Sequence, residues 1–309
     1  MKVIEISQLH KIYTKGVGKK IHALKGLDLE VGSGEIFGFL GPNGAGKSTT
    51  IKLILNIIHP TSGKILLSGK DVRDPESRRN LGFLPENPIY YEYLTPEELL
   101  WFVGKTFNIE GENIKRKTDE LLNLMGLEKF KSVPLRYFSK GMIQKVGLIQ
   151  TLVHDPDILI LDEPTSGLDP IGRRQVTDLI LSLKEKGKTI FFSSHILHDV
   201  ETICDKVGII AEGELRFCGK LSEVLHQGLQ GYEVIVQNVS DEVINEIMDK
   251  KIDCHREGDT ARLTVAEVDL WQLIEFIKSR KLSLFAIEPK RKTLEGLFLE
   301  LIKDSKNSS

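Results

Sequence analysis

The sequence predicts an α/β protein with a buried parallel sheet, a helical insertion and a small α+β domain at the C-terminal end. Short apolar runs bounded by turn residues alternate with helical patterns, which is typical of strands joined by crossover helices. Residues from about 88 to 155 are mostly helical in pattern, and the composition changes again near residues 228–231. We therefore expect a first domain at 1–228, with its insertion at about 88–155, and a second domain at 229–309.

The composition is that of a soluble globular protein, and its net charge of −2 gives no sign of a nucleic-acid-binding surface. The three cysteines, Cys204, Cys218 and Cys254, are too widely spaced to support a disulfide framework or a zinc site, which favours a reducing cytoplasm. No signal peptide is recognised, and no apolar run reaches about 18 residues. We therefore expect any membrane role to be peripheral and to require a partner.

The first 31 residues are predicted to form antiparallel strands. Residues 27–31 alternate apolar and charged side chains, as a half-exposed strand does. Tyr13 lies between this strand and the one that opens the chain. A single tyrosine in such a region usually packs against its neighbours, and stacking on a nucleotide base is the alternative.

A glycine-rich stretch at residues 41–49, GPNGAGKST, lies between the apolar run 36–40 and a helix predicted at 50–58. Strand, loop and helix are the context that the G-x-x-x-x-G-K-[ST] pattern requires. Its glycines let backbone N–H groups surround phosphate, and the helix N-terminus adds a favourable dipole. Lys47 supplies a positive charge, and the Ser48 hydroxyl can ligate Mg²⁺. The predicted nucleoside-triphosphate-binding residues of this loop are Gly41, Pro42, Asn43, Gly44, Ala45, Gly46, Lys47, Ser48 and Thr49.

The insertion begins with a recognisable helix start, because residues 95–98 read TPEE, a capping box with proline at the first helical position. Ser139 is placed as the N-cap of a later helix. The apolar run 158–161 then ends in Asp162 and Glu163, so it predicts a buried central strand with acids at its carboxyl end. Open α/β sheets bind ligands at that end. A second buried strand, 189–192, is followed by two serines and His195.

The segment after residue 231 predicts strands at 232–236, 261–265 and 282–287, and helices at 241–250, at 268–278 and from Thr293. We recognise no phosphate loop, strand-ending acid pair or metal-ligand cluster in it. The pattern therefore predicts a small α+β accessory domain, and it does not indicate what that domain does.

The order of these segments, over residues 1 to about 228, resembles the nucleotide-binding domain of ATP-binding cassette (ABC) proteins. Residues 41–49 resemble the Walker A motif and residues 158–164 the Walker B motif. FSKGM at 138–142 resembles the family signature, SGLD at 166–169 the D-loop, and His195 the switch histidine. The resemblance implies a P-loop NTPase (RecA-like) core with an antiparallel β subdomain and a helical insertion.

The resemblance also implies an ATPase that uses ATP and Mg²⁺ and closes two copies head to tail over two nucleotides. Glu163 would activate the attacking water, and His195 would contact the γ-phosphate. Asp162, Ser48 and Glu86 would hold Mg²⁺. The nucleotide contacts that it assigns outside the phosphate loop are Tyr13, Glu86, Ser139, Gly141 and Asp169.

Two departures from the family pattern stand out. Glu86 occupies the place of the usual glutamine, and the signature has Phe138, Lys140 and Met142 in place of leucine, glycine and glutamine. Lys140 could attract phosphate or face solvent, and both alternatives stay open. Such variants resemble the ATPases that serve type-2 ABC exporters, and residues 293–298 are similar to the tail of that subfamily's accessory domain.

We therefore expect an ATPase subunit that drives a separate integral-membrane permease, as a homodimer or a paralogous heterodimer, at the cytoplasmic, inner face of the cell membrane. The groove around Glu86 to Tyr93, between the core and the helical insertion, is expected to receive the coupling helix of the permease. An exposed cluster of Tyr90, Tyr91 and Tyr93 motivates this expectation, and local packing of the three rings is the alternative. The alternative is a soluble ABC ATPase acting on ribosomes or DNA, although such proteins usually carry two cassettes, coiled coils or zinc cysteines. A regulatory module without hydrolysis is a third hypothesis, and Glu163 and His195 argue against it.

Overall fold

The computed structural model describes residues 1–15, 19–225, 229–249, 252–291 and 293–307. The chain divides into two compact units, Met1–Leu221 with Leu301–Ser309, and Ser222–Glu300. The predicted domain boundary at residue 228 lies outside the described residues. Among the residues that the structure describes, no helix is both long and apolar enough to cross a bilayer.

The elements alternate along the chain. The strands are β1 (Lys2–Lys15), β2 (Lys19–Gly32), β3 (Ile36–Leu40), β4 (Ser62–Leu67), β5 (Lys70–Asp71), β6 (Leu81–Leu84), β7 (Ile158–Asp162), β8 (Thr189–Ser194), β9 (Lys206–Ala211), β10 (Glu214–Lys220), β11 (Leu229–Gln237), β12 (Asp253–Glu257), β13 (Thr260–Val265) and β14 (Ser283–Arg291). The helices are α1 (Lys47–Ile54), α2 (Pro96–Thr106), α3 (Gly111–Leu124), α4 (Lys140–Leu152), α5 (Pro170–Glu185), α6 (Leu197–Ile203), α7 (Leu221–Leu225), α8 (Asp241–Asp249), α9 (Leu270–Ser279) and α10 (Leu294–Asn307).

The central sheet of the first unit has the strand order β10-β9-β3-β8-β7-β6, and only the β9–β10 pair in it is antiparallel. Every residue of β3, β7 and β8 is buried, as expected of continuous apolar runs in a parallel sheet. Phe37 and Phe191 stack at 5.7 Å between ring centroids, and Phe39 packs on Phe191 at 5.4 Å. The α/β prediction is confirmed, and the carboxyl ends of three buried strands meet at one edge.

A second, antiparallel sheet with the order β2-β1-β4-β5 accompanies this core, as expected for the first 31 residues. The helical insertion consists of α2, α3, α4 and short 3₁₀ turns. The predicted capping box starts α2: the Thr95 hydroxyl accepts the N–H of Glu98 at 3.2 Å, and the Glu98 carboxylate accepts the N–H of Thr95 at 2.9 Å. Ser139 caps α4 by accepting the N–H of Met142 at 3.2 Å.

The helix after the phosphate loop differs from its predicted span of 50–58. It begins at Lys47, directly after Gly46, and it ends at Ile54. Asn56 then adopts a left-handed conformation with φ of +55°, which stops the helix. Because the helix begins three residues earlier than predicted, its N-terminus lies within the phosphate loop.

The second unit is a four-stranded antiparallel sheet, β12-β13-β11-β14, with α8 and α9 inserted in a β-α-β-β-α-β sequence. Apolar side chains of β11 and β13, such as Val234 and Leu263, pack with Ile247, Leu273 and Ile277 of the helices. The sequence analysis missed β12, because its residues DCHRE lack the apolar alternation that marks a strand.

Candidate functional site

The phosphate loop requires glycine at two positions for steric reasons. A Cβ on Gly41, immediately after β3, would lie 2.4 Å from the carbonyl oxygen of Ile210. Gly46, the N-cap of α1, has φ of +118°, and a Cβ there would lie 2.9 Å from the carbonyl oxygen of Ala23. Larger residues would therefore force the loop away from the sheet, and the N-terminus of α1 would lose its position.

Lys47 is the buried cation of this loop, with 7% of its surface exposed. Its Nζ donates to the carbonyl oxygen of Gly41 at 2.6 Å and lies 4.0 Å from Oε1 of Glu163. Burial lowers the pKa of Lys47, and the negative charges of Glu163, Asp162 and Glu86 oppose that shift. A positive charge is thus held inside the site, facing the carboxylates.

Asp162 and Glu163 lie at the carboxyl end of β7 and are both buried. The hydroxyl of Ser193, on the neighbouring strand β8, donates to Oδ1 of Asp162 at 2.5 Å and accepts the N–H of Glu163 at 3.1 Å. Glu163 has a left-handed backbone, with φ of +52°. Such a conformation costs about 1–3 kcal/mol in a residue other than glycine, so its surroundings must hold it in place.

The side chain of Glu163 lies between two basic groups. Its Oε2 is 2.7 Å from Nδ1 of His195, and Lys47 approaches its other oxygen. His195 is more than half exposed, whereas Glu163 is buried. A buried carboxylate in contact with an exposed imidazole and near a lysine has the surroundings that a general base for water activation requires.

These groups surround a space of about 230 Å³, which we call the phosphate-loop cavity. The loop residues and Lys47 in its lining suit the phosphate groups of a nucleotide. Its lining residues are Ala23, Pro42, Asn43, Gly44, Gly46, Lys47, Ser48, Thr49, Glu86, Asp162, Glu163 and His195. All but Ala23 were predicted from the sequence.

Six predicted site residues are not part of this lining, namely Tyr13, Gly41, Ala45, Ser139, Gly141 and Asp169. Tyr13 lies on β1 with 37% of its surface exposed, and the ammonium group of Lys11 is 5.1 Å from its ring centroid. Asp169 caps α5 by accepting the N–H of Gly172 at 2.7 Å. Both side chains are therefore available at the surface of the unit.

The start of α4 packs against the loop 166–169. A Cβ on Gly141 would lie 3.2 Å from Cδ2 of Leu168, a close approach that a small shift of the leucine side chain would have to relieve. The stem of Lys140 lies along Gly167, whose Cβ position is 3.1 Å from Cδ and Cε of the lysine. The signature segment and the loop after β7 thus form one packed surface.

Sequence reasoning missed three buried polar groups around the acids. Ser193 is one of them, and its signal was a pair of serines at the end of an apolar strand. Gln144 is buried in α4, and its amide nitrogen lies 3.4 Å from the carbonyl oxygens of Glu163 and Pro164. Thr165 donates to Asp199 at 2.6 Å between two buried side chains. Nothing in the local pattern distinguishes these two contacts from ordinary polar positions.

The donor set of the cavity fits Mg²⁺. Within the described ranges no three or more His, Cys, Asp or Glu side chains form a metal-binding group. Asp162, Ser48 and Glu86 nevertheless line one cavity and supply only oxygen atoms. Mg²⁺ is commonly bound in this way, by one or two carboxylates together with phosphate and water.

Comparison with known proteins connects this geometry with one family. The ABC transporter family profile matches residues 24–166. The chain is 40% identical over 306 residues to an uncharacterized ABC transporter ATP-binding protein of Synechocystis sp., covering 98% of this chain and 85% of that protein. It is 43% identical over 216 residues to the bacitracin transport ATP-binding protein BcrA of Bacillus licheniformis, covering 69% of this chain and 68% of that protein.

Among solved structures, the chain is similar to an ATP-binding cassette determined as a dimer in a post-hydrolysis state with ADP and Pi. The TM-score is 0.65 at 25% identity, covering 71% of this chain and 98% of that one. The likeness therefore extends over nearly all of that chain.

Proposed function

Because the chain belongs to the ABC transporter family and is an ATP-binding ATPase, we propose that it powers a separate integral-membrane permease, in the direction of export. The observation that carries the ATPase part of this proposal is the cavity in which Lys47, Glu163 and His195 converge behind a phosphate loop. The link to transport is supported by the names of the two relatives above. Action on ribosomes or DNA is not favoured, because both relatives above are named as transporter or transport ATP-binding proteins. Residues 1–228 would form the cassette and residues 229–309 the accessory domain.

In the proposed reaction, N–H groups of the loop and Lys47 bind the β- and γ-phosphates of ATP. Glu163 orients and deprotonates the attacking water, and His195 contacts the γ-phosphate.

Asp162, Ser48 and Glu86 would hold Mg²⁺, which when bound neutralises phosphate charge. Tyr13 would stack on the adenine outside the cavity. The short distance from His195 to Glu163 supports a direct influence of the imidazole on the base.

We propose that the active form is a dimer, built from two copies of this chain or from this chain and a paralogue. Ser139 caps the thirteen-residue helix α4, Gly141 lies in its first turn, and both would meet the γ-phosphate bound by the other subunit. Asp169 would approach the same interface. The exposure of Ser139 and Asp169, together with the dimeric cassette described above, supports this arrangement.

The permease would dock in an apolar groove with a volume of about 700 Å³, which we call the aromatic groove. Ile89 and Tyr91 are 90% and 70% exposed there and belong to one apolar patch, a feature that often marks an interaction site. The expectation that Tyr90 is also exposed was wrong: it is half-buried, its burial raises its pKa, and it forms part of the wall. The lining residues are Ile89, Tyr90, Tyr91, Tyr93, Leu94, Leu99, Phe102, Val103 and Gln150. This docking would hold the subunit at the inner face of the cell membrane.

The proposal is tested with Glu163→Gln, which removes the base and preserves the size of the side chain. We expect ATP to bind, turnover to fall by about 100-fold or more, and an ATP-dependent dimer to accumulate. Phosphate release and light scattering measure the two effects. Glu128→Gln, which changes an exposed carboxylate in the insertion, is the control and should behave as the wild type. A monomeric Glu163→Gln protein with normal turnover would contradict the dimer mechanism.

A further inference from the structure

Ser193 is a fully buried residue of β8 that bonds to both acidic residues of the cavity. The parallel register of β7 and β8 sets Asp162 directly beside it. One hydroxyl group therefore donates to the carboxylate of Asp162 and accepts from the backbone of Glu163. No other described side chain is bonded to both acids in this way.

The bond to Asp162 fixes the orientation of that carboxylate. Oδ1 accepts the Ser193 hydroxyl at 2.5 Å, and Asp162 lines the cavity. A carboxylate that is fixed by a hydrogen bond on one oxygen offers the other in a defined direction. Outer hydrogen bonds of this kind typically alter metal affinity about 10- to 100-fold when they are removed.

The bond to Glu163 acts on its left-handed backbone. The N–H of Glu163 donates to the hydroxyl at 3.1 Å and to the carbonyl oxygen of Ser193 at 3.2 Å. Loss of the hydroxyl leaves the second of these bonds in place, so the N–H keeps a partner. We therefore expect such a variant to fold, while the direction of the Glu163 side chain becomes less well defined.

We propose that Ser193 is a positioning residue that aims Asp162 at Mg²⁺ and Glu163 at the attacking water at the same time. The inference rests on the proposed function, because both acids act through it. It predicts that loss of this one hydroxyl lowers two separately measured quantities. These are the gain in nucleotide affinity that Mg²⁺ gives, and the turnover number.

The experiment compares Ser193→Thr with Ser193→Val, two side chains of nearly equal shape that differ in the hydroxyl. Affinity for a non-hydrolysable ATP analogue is measured by calorimetry with Mg²⁺ and with EDTA, and turnover is measured by phosphate release. We expect the valine variant to lose about tenfold in the Mg²⁺-dependent gain and about tenfold or more in turnover. The threonine variant should stay within about threefold of the wild type, and affinity in EDTA should be the same for both.

Thr189→Val is the matched control, since Thr189 is a buried residue at the other end of β8 whose hydroxyl accepts the N–H of Gly34 at 2.9 Å. It should leave both measurements unchanged. Equal values for the threonine and valine variants overturn the proposal. If the added methyl group prevents both from folding, Ser193→Ala replaces them: a reduced Mg²⁺-dependent gain supports the proposal, and a wild-type gain overturns it. Failure of the proposed function is seen separately, as a wild-type chain whose nucleotide affinity does not respond to Mg²⁺.

Discussion

The phosphate-loop cavity encloses charged side chains that already have partners, whereas the aromatic groove leaves apolar side chains exposed to solvent. In the cavity, Lys47 bonds to a loop carbonyl, Asp162 to Ser193 and Glu163 to His195. In the groove, Ile89, Tyr91 and Tyr93 are largely exposed. The two regions are nevertheless close in sequence, because the strand end that supplies Glu86 to the cavity continues directly into the groove.

The difference suggests that the cavity is formed by this chain alone, whereas the groove needs a partner to cover it. Buried polar groups with satisfied hydrogen bonds define one arrangement and can receive a ligand with little rearrangement. An exposed apolar surface lowers its free energy only when another molecule covers it. We therefore expect substitutions in the cavity to act on the isolated chain, and substitutions in the groove to act only when the proposed permease is present.

The largest effect on nucleotide affinity should come from Lys47→Met, which removes the buried charge and keeps most of the stem. Nucleotide affinity should fall by about 100-fold, since hydrogen bonds to charged groups contribute about 1.5–3 kcal/mol. The nucleotide-free chain should unfold at the same temperature or a higher one, because burial already disfavours the charge and lowers the pKa of Lys47. Calorimetric titration and thermal unfolding measure the two quantities.

Lys52→Met is the control for this substitution, since Lys52 lies on the exposed side of the same helix α1. Its nucleotide affinity should equal that of the wild type. A Lys47→Met protein that binds ATP normally would show that the loop N–H groups suffice, and the cavity would then not depend on its cation.

A smaller effect, confined to the complex, is expected from replacing Tyr91 and Tyr93 together by alanine. The two rings pack on each other at 5.7 Å between centroids and are both largely exposed. Exposed aromatic anchors of an interface each contribute enough for truncation to weaken binding by about tenfold or more. Recovery of a polytopic membrane protein from detergent-solubilised membranes should fall accordingly, while ATPase activity of the isolated chain stays unchanged.

Trp271→Ala provides the control, because Trp271 is equally exposed but belongs to α9 in the second unit. It should recover the membrane protein as well as the wild type does. If the double tyrosine variant retains full recovery, the groove is not the docking surface. If the isolated double variant loses ATPase activity, the groove and the cavity are not functionally independent, which contradicts the comparison above.

The cavity was largely predictable from sequence because its residues lie in short contiguous motifs. The loop 41–49 fixes its own geometry through glycines and the following helix, and the acids end an apolar strand that could only be buried. The bond from Ser193 to Asp162 was not predictable in the same way. It depends on β8 lying beside β7 with a particular register, which is a property of the whole sheet.

The groove was only partly predictable, for a related physical reason. The three tyrosines suggested an exposed cluster, but the hydroxyl of Tyr90 lies 3.1 Å from the Cβ position of Gly147 on α4. The absence of a side chain at Gly147 makes room for Tyr90 to be half-buried. Burial of this kind follows from packing between distant segments, which local sequence patterns do not contain.

The smallest effect is expected from Glu86→Gln, at the point where the cavity continues into the groove. Glu86 is exposed, lines the cavity and opposes the lowering of the Lys47 pKa less than Glu163 and Asp162 do. Exposed charges are screened by solvent and salt, so the change in turnover should be about threefold or less. Nucleotide affinity without Mg²⁺ should rise slightly, because one negative charge near the phosphates is removed. Glu92→Gln, on the groove side, should change neither quantity, whereas a hundredfold loss of turnover in Glu86→Gln would make Glu86 a required part of the catalytic group.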